Sequence, residues 1–278
     1  MEKHCNDFTE LLKAQKLKHR ADVLHFSLGV NSVKEKIKMD APILQLFMDS
    51  FNRGRIGIRL LQCQHIALST QVANGKKVGI IDSNCDVLAV IESAACLAQD
   101  AALRYYGPKL LQTPDFVIKG QPMDSVSFSY MPTILQNILF ELFKNSLRAT
   151  IEFQGLERKF YNDIVVVLSP GKEDLTIKIS DYGGGISKRN LTKLESYTFS
   201  TAPTPILDES ILDKGQYSMP LAGLGFGLPI SKLYAEYLGG KLEIVSMEGF
   251  GTDAYLYLNR LSTVVEQLHD EIVISNTV

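Results

Sequence analysis

The stretch from Leu135 to Gly185 constrains this chain more than any other, because its apolar spacing changes there from helical to alternating and each half carries polar groups suited to one kind of site. On a wheel of about 100° per residue, Leu135, Ile138, Leu139, Leu142, Ser146 and Ala149 share one arc and can face a core. Glu141, Lys144, Asn145 and Arg148 fall on the other side. Asn145 offers a hard oxygen to Mg²⁺, Lys144 and Arg148 suit phosphate, and Glu141 can orient or deprotonate a nucleophile. An ordinary solvated helix face has the same pattern, so the stripe alone leaves both readings open.

The second half is a half-buried strand. Leu175, Ile177 and Ile179 alternate with Thr176, Lys178 and Ser180, and the strand stops at Asp181 before Gly183-Gly-Gly185. A carboxylate at a strand end can accept from an exocyclic amine such as that of adenine, and glycines let a backbone pass close to a ligand. A plain turn also explains these residues. A third piece, Gly223-Leu-Gly-Phe-Gly-Leu-Pro-Ile230, opens the periodic segment Leu228 to Leu238. Free backbone N–H groups at a helix start make an anion site, and Pro229 suits a first turn. The order excludes a Rossmann fingerprint, since Asp181 precedes the glycines, and no Gly-Lys-Ser/Thr of a Walker loop occurs.

These three pieces in this order, closed by Gly249-Phe-Gly-Thr-Asp-Ala254, resemble the N, G1 and G2 boxes of the GHKL ATPase and histidine-kinase superfamily. Three longer runs narrow the resemblance: Glu141-Leu-Phe-Lys-Asn-Ser-Leu-Arg-Ala-Thr150, Ser200-Thr-Ala-Pro-Thr-Pro205 and Ser246-Met-Glu-Gly-Phe-Gly-Thr-Asp-Ala254. They are similar to the mitochondrial kinases of α-keto acid dehydrogenases, with the pyruvate dehydrogenase kinases nearest. The resemblance extends from about Leu17 to Leu261.

It implies an α+β chain. A helical-bundle domain, an incomplete four-helix bundle at 1–115, would precede a GHKL (Bergerat) α/β sandwich that binds ATP at 116–262, with a tail at 263–278. It implies ATP and Mg²⁺, the latter at Asn145, and Glu141 as general base toward a serine hydroxyl. The nucleotide would meet Glu141, Lys144, Asn145, Arg148, Asp181, Gly183, Gly185, Gly223, Leu224, Gly225, Phe226, Gly227, Leu228 and Thr252. Residues 186 to 222 would be the lid over ATP, touching the nucleotide at Ser200 and Thr201. Lys18-His-Arg-Ala-Asp-Val23 resembles the segment whose histidine approaches the catalytic glutamate, which makes His19 a candidate catalytic residue. His65 falls on another family-like segment and suits a core or allosteric-pocket role.

The implied activity is ATP-dependent phosphorylation of the E1 alpha subunit of the pyruvate dehydrogenase complex, inhibiting it, in the mitochondrial matrix, with the E2 lipoyl domain as docking partner. Branched-chain α-keto acid dehydrogenase kinase is the alternative, because Ala235-Glu-Tyr-Leu-Gly-Gly240 is closer to that branch. A non-catalytic ATP-binding regulator is another. A two-component histidine kinase is disfavoured, since Arg follows His19 and Phe follows His25 where a Glu is needed. The resemblance implies a possible homodimer, but the family's Asp-Trp tail that crosses the dimer has no counterpart in a chain without tryptophan, which leaves that contact open.

Composition sets outer bounds. With 45% apolar and 22% charged residues among 278, the chain can bury a sizeable core. A net charge of −2 gives no electrostatic reason to expect nucleic acid. No apolar run approaches the roughly 20 residues of a membrane span. Cys5, Cys63, Cys85 and Cys96 are scattered, which fits a reducing compartment. The opening Met-Glu-Lys-His-Cys-Asn-Asp resembles neither a signal nor a transit peptide, so targeting is expected upstream or the chain is a truncated product.

Helices are expected from about Phe8 to Lys38, with an uncertain middle at Gly29 and Asn31, from Asp40 to about Ala67, and from Asn84 or Asp86 to about Tyr106. A bundle lacking its first helices would expose an apolar face.

Overall fold

The structure, a computed structural model, describes residues 2–19, 22–36, 41–70, 77–120, 128–194, 196–197, 199–201 and 225–260. Three helices lead: α1 (Glu2–Lys18), α2 (Asp22–Lys36) and α3 (Ala41–Thr70). The first break falls after Lys18 and not at Gly29 or Asn31, which both lie within α2. Gly costs a helix interior only about 1 kcal/mol, too little by itself to end a helix. At the break, Arg59 and Arg55 donate to the carbonyls of Lys16 (3.0 Å) and His19 (3.3 Å), meeting acceptors that the end of α1 leaves over. His65 joins the same two helices, with Nε2 3.1 Å from Thr9 Oγ1 and its ring edge-on to Phe8.

Apolar side chains stay exposed on these helices, among them Leu17 (68%), Ile58 (60%) and Leu61 (74%). Among the described residues no helix is long and apolar enough to cross a membrane.

A short hairpin, β1 (Lys77–Val78) and β2 (Ile81–Asp82), leads to α4 (Val87–Tyr106). Asp86 caps α4 by accepting the Ala89 N–H at 3.0 Å, as its position suggests. Ala94, Ala95, Ala98, Ala101 and Ala102 form a buried face on α4. Small side chains permit close approach, and α4 lies along α5 (Pro132–Gln154), so its core is continuous with that of the sheet.

The sheet comprises β3 (Phe116–Gly120), β4 (Ile164–Pro170), β5 (Asp174–Asp181), β6 (Lys241–Met247) and β7 (Gly251–Asn259) in the order β3-β4-β5-β7-β6. Only β3 and β4 run parallel among its pairs. Two more helices complete the described fold: α6 (Lys188–Leu191) and α7 (Gly227–Tyr237). Ile164, Val166, Ile177, Ile179, Leu256 and Leu258 fill the core beneath α5.

The wheel accounts for only part of α5. Leu135, Ile138, Leu139, Leu142 and Ser146 are buried, but so are Lys144, read with the polar stripe, and Phe140, Phe143 and Leu147, which lie outside the apolar arc. The reason is that α5 is sandwiched, with α4 along one flank, α7 on another, and Phe143 4.6 Å from Phe116 of β3. The tail at 263–278 lies outside the described residues.

Candidate active site

The register of the sheet creates the floor of the site. Asp181, last in β5, pairs with Thr252, second in β7, so the two strands deliver a carboxylate and a hydroxyl to one point. Asp181 Oδ1 accepts the N–H groups of Gly183 (2.9 Å) and Thr252 (3.2 Å), and Ser146 of α5 adds a hydrogen bond. Burial nevertheless dominates and raises its carboxyl from the ordinary value to about 6. Ser246 braces the same corner: its Oγ accepts the Ile186 N–H at 2.8 Å and lies 2.9 Å from Thr252 Oγ1.

The glycines after β5 are required by crowding. A Cβ on Gly183 would strike Ala149 and the backbone of α5. Gly185 has φ of +67°, and a Cβ there would strike the Met247 carbonyl. The loop is thereby held between α5 and the β6–β7 turn.

Along α5, Glu141 Oε1 takes an ion pair from Lys144 Nζ at 2.9 Å. Lys144 is 4% exposed, and its ammonium also sits over the Phe140 ring at 4.8 Å. Asn145 is exposed. Arg148 donates through Nε to Glu152 (3.0 Å) and through Nη2 to Thr201 Oγ1 (2.9 Å). Across from this stripe, α7 begins at Gly227 with no side chain capping it, so its first N–H groups are left as donors for a ligand. Gly225, at φ of +72°, turns the chain into it.

These groups line one cavity of about 1420 Å³. Its volume exceeds the roughly 300–1,000 Å³ of ordinary small-ligand sites. The cavity brings together Glu141, Lys144, Asn145, Arg148, Asp181, Gly183, Gly185, Ser200, Thr201, Gly225, Phe226, Gly227, Leu228 and Thr252. Gly223 and Leu224 lie outside the described residues, as does most of the expected lid. His19 is not among the lining residues; its Nδ1 is 2.8 Å from Asp22 Oδ2, both half-exposed.

Ser146, Glu152 and Ser246 went unassigned. Ser246 stands in the run that carries the resemblance, and Glu152 sits four residues beyond Arg148, so both left a signal. Ser146 leaves none, since its position falls on the core arc of the helix.

Among the described residues no three His, Cys, Asp or Glu cluster to hold a metal. Mg²⁺ ordinarily takes one or two protein oxygens and completes its shell with phosphates and water, and the exposed Asn145 amide beside the cavity fits that demand.

Fold and cavity together define an ATPase domain of one class: residues 131–262 match the family model described as histidine kinase-, DNA gyrase B-, and HSP90-like ATPase. Residues 1–82 match that of mitochondrial branched-chain alpha-ketoacid dehydrogenase kinase. The chain is 40% identical over 267 residues to the mitochondrial [pyruvate dehydrogenase (acetyl-transferring)] kinase of Schizosaccharomyces pombe, covering 96% of this chain and 62% of that one. It is 42% identical to isozyme 4 of Rattus norvegicus (94% and 63%) and 40% identical to the Arabidopsis thaliana kinase (94% and 70%). The chain belongs to the pyruvate dehydrogenase kinase family. It spans a little under two-thirds of the length of the yeast and rat relatives.

Proposed function

We propose that this chain is an ATP-dependent protein serine kinase that phosphorylates the E1 alpha subunit of the pyruvate dehydrogenase complex and so inhibits it. The observation that carries the reading is the meeting of Asp181, Asn145 and Glu141 in one cavity beside the start of α7. Phosphoryl transfer asks mainly for positioning and neutralisation of charge. Asp181 and Thr252 would receive the adenine, the first turn of α7 and Arg148 the phosphates. Asn145 would hold Mg²⁺, which when bound neutralises phosphate charge.

Glu141 would accept the proton of the incoming serine hydroxyl. Lys144 fixes one of its oxygens, orienting the carboxylate. His19 lies outside the cavity lining, although Lys16 and Leu17 just before it belong to that lining. The names of the relatives support a mitochondrial location and the pyruvate dehydrogenase complex as partner. With these we propose the matrix as compartment, and the E2 lipoyl domain and a second copy of the chain as partners.

The match of residues 1–82 favours one second reading, the E1 subunit of the branched-chain complex as substrate. Transfer of label from the γ-phosphate of Mg-ATP to the two E1 subunits, offered separately, decides. Acid-stable label on serine of the pyruvate enzyme, lost in Glu141→Ala, is the expected result. Label confined to the branched-chain E1 supports the second reading. Acid-labile label on the chain itself, or ATP binding without transfer, overturns both.

A further inference from the structure

Helix α3 lines the cavity with Arg55, Arg59 and Cys63, and it also grips a residue beside the cavity that the mechanism above does not use. Tyr197, beyond α6, is 3% exposed. Its hydroxyl donates to Asp49 Oδ1 at 2.9 Å, and its backbone N–H donates to Gln45 Oε1 at 3.3 Å; both acceptors belong to α3. The Tyr197 ring lies 5.4 Å from that of Phe226. Both rings sit in a small core of their own with Leu44, Met48 and Ile56 of α3 and Leu233 of α7, separate from the main core under the sheet.

The two aromatic residues stand beside the cavity's phosphate side. Three and four residues after Tyr197 come Ser200 and Thr201, which line the cavity, Thr201 accepting from Arg148. Phe226 is followed at once by Gly227, where α7 begins. α3 also grips α7 through Arg53 and Glu236, 2.7 Å apart. Asp181 and Thr252 are held differently, by the sheet register, Gly183 and Ser146. One half of the cavity is therefore fixed by the sheet and the other by α3.

We propose that Asp49 and Tyr197 are positioning residues for nucleotide phosphates: the Tyr197–Asp49 hydrogen bond pins Ser200, Thr201 and the start of α7 to α3. The inference rests on the ATP reading above. Tyr197→Phe is the sharp variant, because it removes one oxygen and keeps the ring packed on Phe226. A partly buried hydrogen bond to a carboxylate is among the stronger kind, and its loss from a site's scaffold corresponds to roughly a 5- to 30-fold change in affinity.

The test is calorimetric titration of the wild-type chain, Tyr197→Phe, Asp49→Asn and the double variant with Mg-ATP and, separately, with adenosine. ATP affinity should fall about 5- to 30-fold in each single variant and no further in the double, since residues acting through one bond are non-additive. Adenosine affinity should stay within about twofold in all of them, because adenosine carries no phosphate for the pinned segments to meet. Unchanged ATP affinity in Tyr197→Phe overturns the inference and leaves the ATP reading standing. Parallel loss of ATP and adenosine affinity also overturns it, since that is general destabilisation. A wild-type chain that binds no ATP overturns both.

Discussion

Glu141 and Gly227 stand face to face across the cavity, so close that a Cβ on Gly227 would collide with Glu141 Oε2. The other oxygen, Oε1, is held by Lys144 at 2.9 Å. The carboxylate is thus fixed from two sides, by charge from within α5 and by backbone from the start of α7. A negative group at a helix N-terminus is also favourably placed with respect to the helix dipole.

Gly227→Ala tests that arrangement without disturbing the backbone, because Gly227 carries no left-handed φ and alanine suits a helix. The methyl group would push Glu141 off Lys144. Transfer of the γ-phosphate should fall by about 10²-fold, the loss expected when a general base is misplaced, with the melting temperature kept within a few degrees. Retained transfer would show that Glu141 needs no such constraint.

Lys144→Met approaches the same carboxylate from the other side. Methionine keeps a stem to lie on Phe140 but withdraws the cation, leaving Glu141 partly buried without its partner. Removing one member of a buried pair is costly, and with Glu141 at 19% exposure about 1–3 kcal/mol of stability should be lost. Denaturant midpoints measure the loss, and a variant as stable as the wild type would argue that the pair is surplus to the fold.

Much of this site was legible because its residues sit at fixed offsets within single elements. Asn145 and Arg148 on α5, Asp181 at the end of β5 and Gly227 at the head of α7 follow from periodicity and from where it stops. What stayed hidden depends on partners distant in sequence. The burial of Phe140, Phe143 and Lys144 requires α4 and β3 to be laid against α5, and nothing local to α5 announces them. β3 follows Pro114 and spans only Phe116–Gly120, so it reads as part of a linker until its parallel pairing with β4 is seen. Asp49 and Tyr197 are 148 positions apart and meet only in the fold.

Ala98→Leu addresses the interface that the sequence hid. Ala98 is fully buried on the alanine face of α4, in the core that α4 shares with α5. Three added carbons have nowhere to go without parting the two helices, so overpacking should cost about 1–3 kcal/mol in chemical denaturation. An unaltered midpoint would mean that α4 is loosely seated.

Asp181 carries the prediction in which stability and function pull apart. Its carboxyl is raised from 3.8 to about 6 mainly by burial, so the folded state holds the proton more tightly than the unfolded one. A group shifted this way contributes stability that is fully present below pH 3.8 and lost as the pH rises through about 6. At pH 7.5 the ionised side chain therefore costs stability, on the order of 1–3 kcal/mol. Asp181→Asn removes that cost while its amide oxygen still accepts from Gly183 and Thr252. The ligand-free variant should melt higher than wild type at pH 7.5, with the advantage shrinking toward pH 4. Its adenosine affinity should nevertheless fall, since the amide presents a donor where the adenine amine needs an acceptor. In the wild type, adenosine binding should weaken between pH 7 and pH 5 as the carboxylate takes up its proton, and in the variant that dependence should vanish. Thermal melts and adenosine titrations across this range measure both halves. A variant that is less stable at pH 7.5, or one that binds adenosine as well as wild type, would remove Asp181 from the role assigned to it.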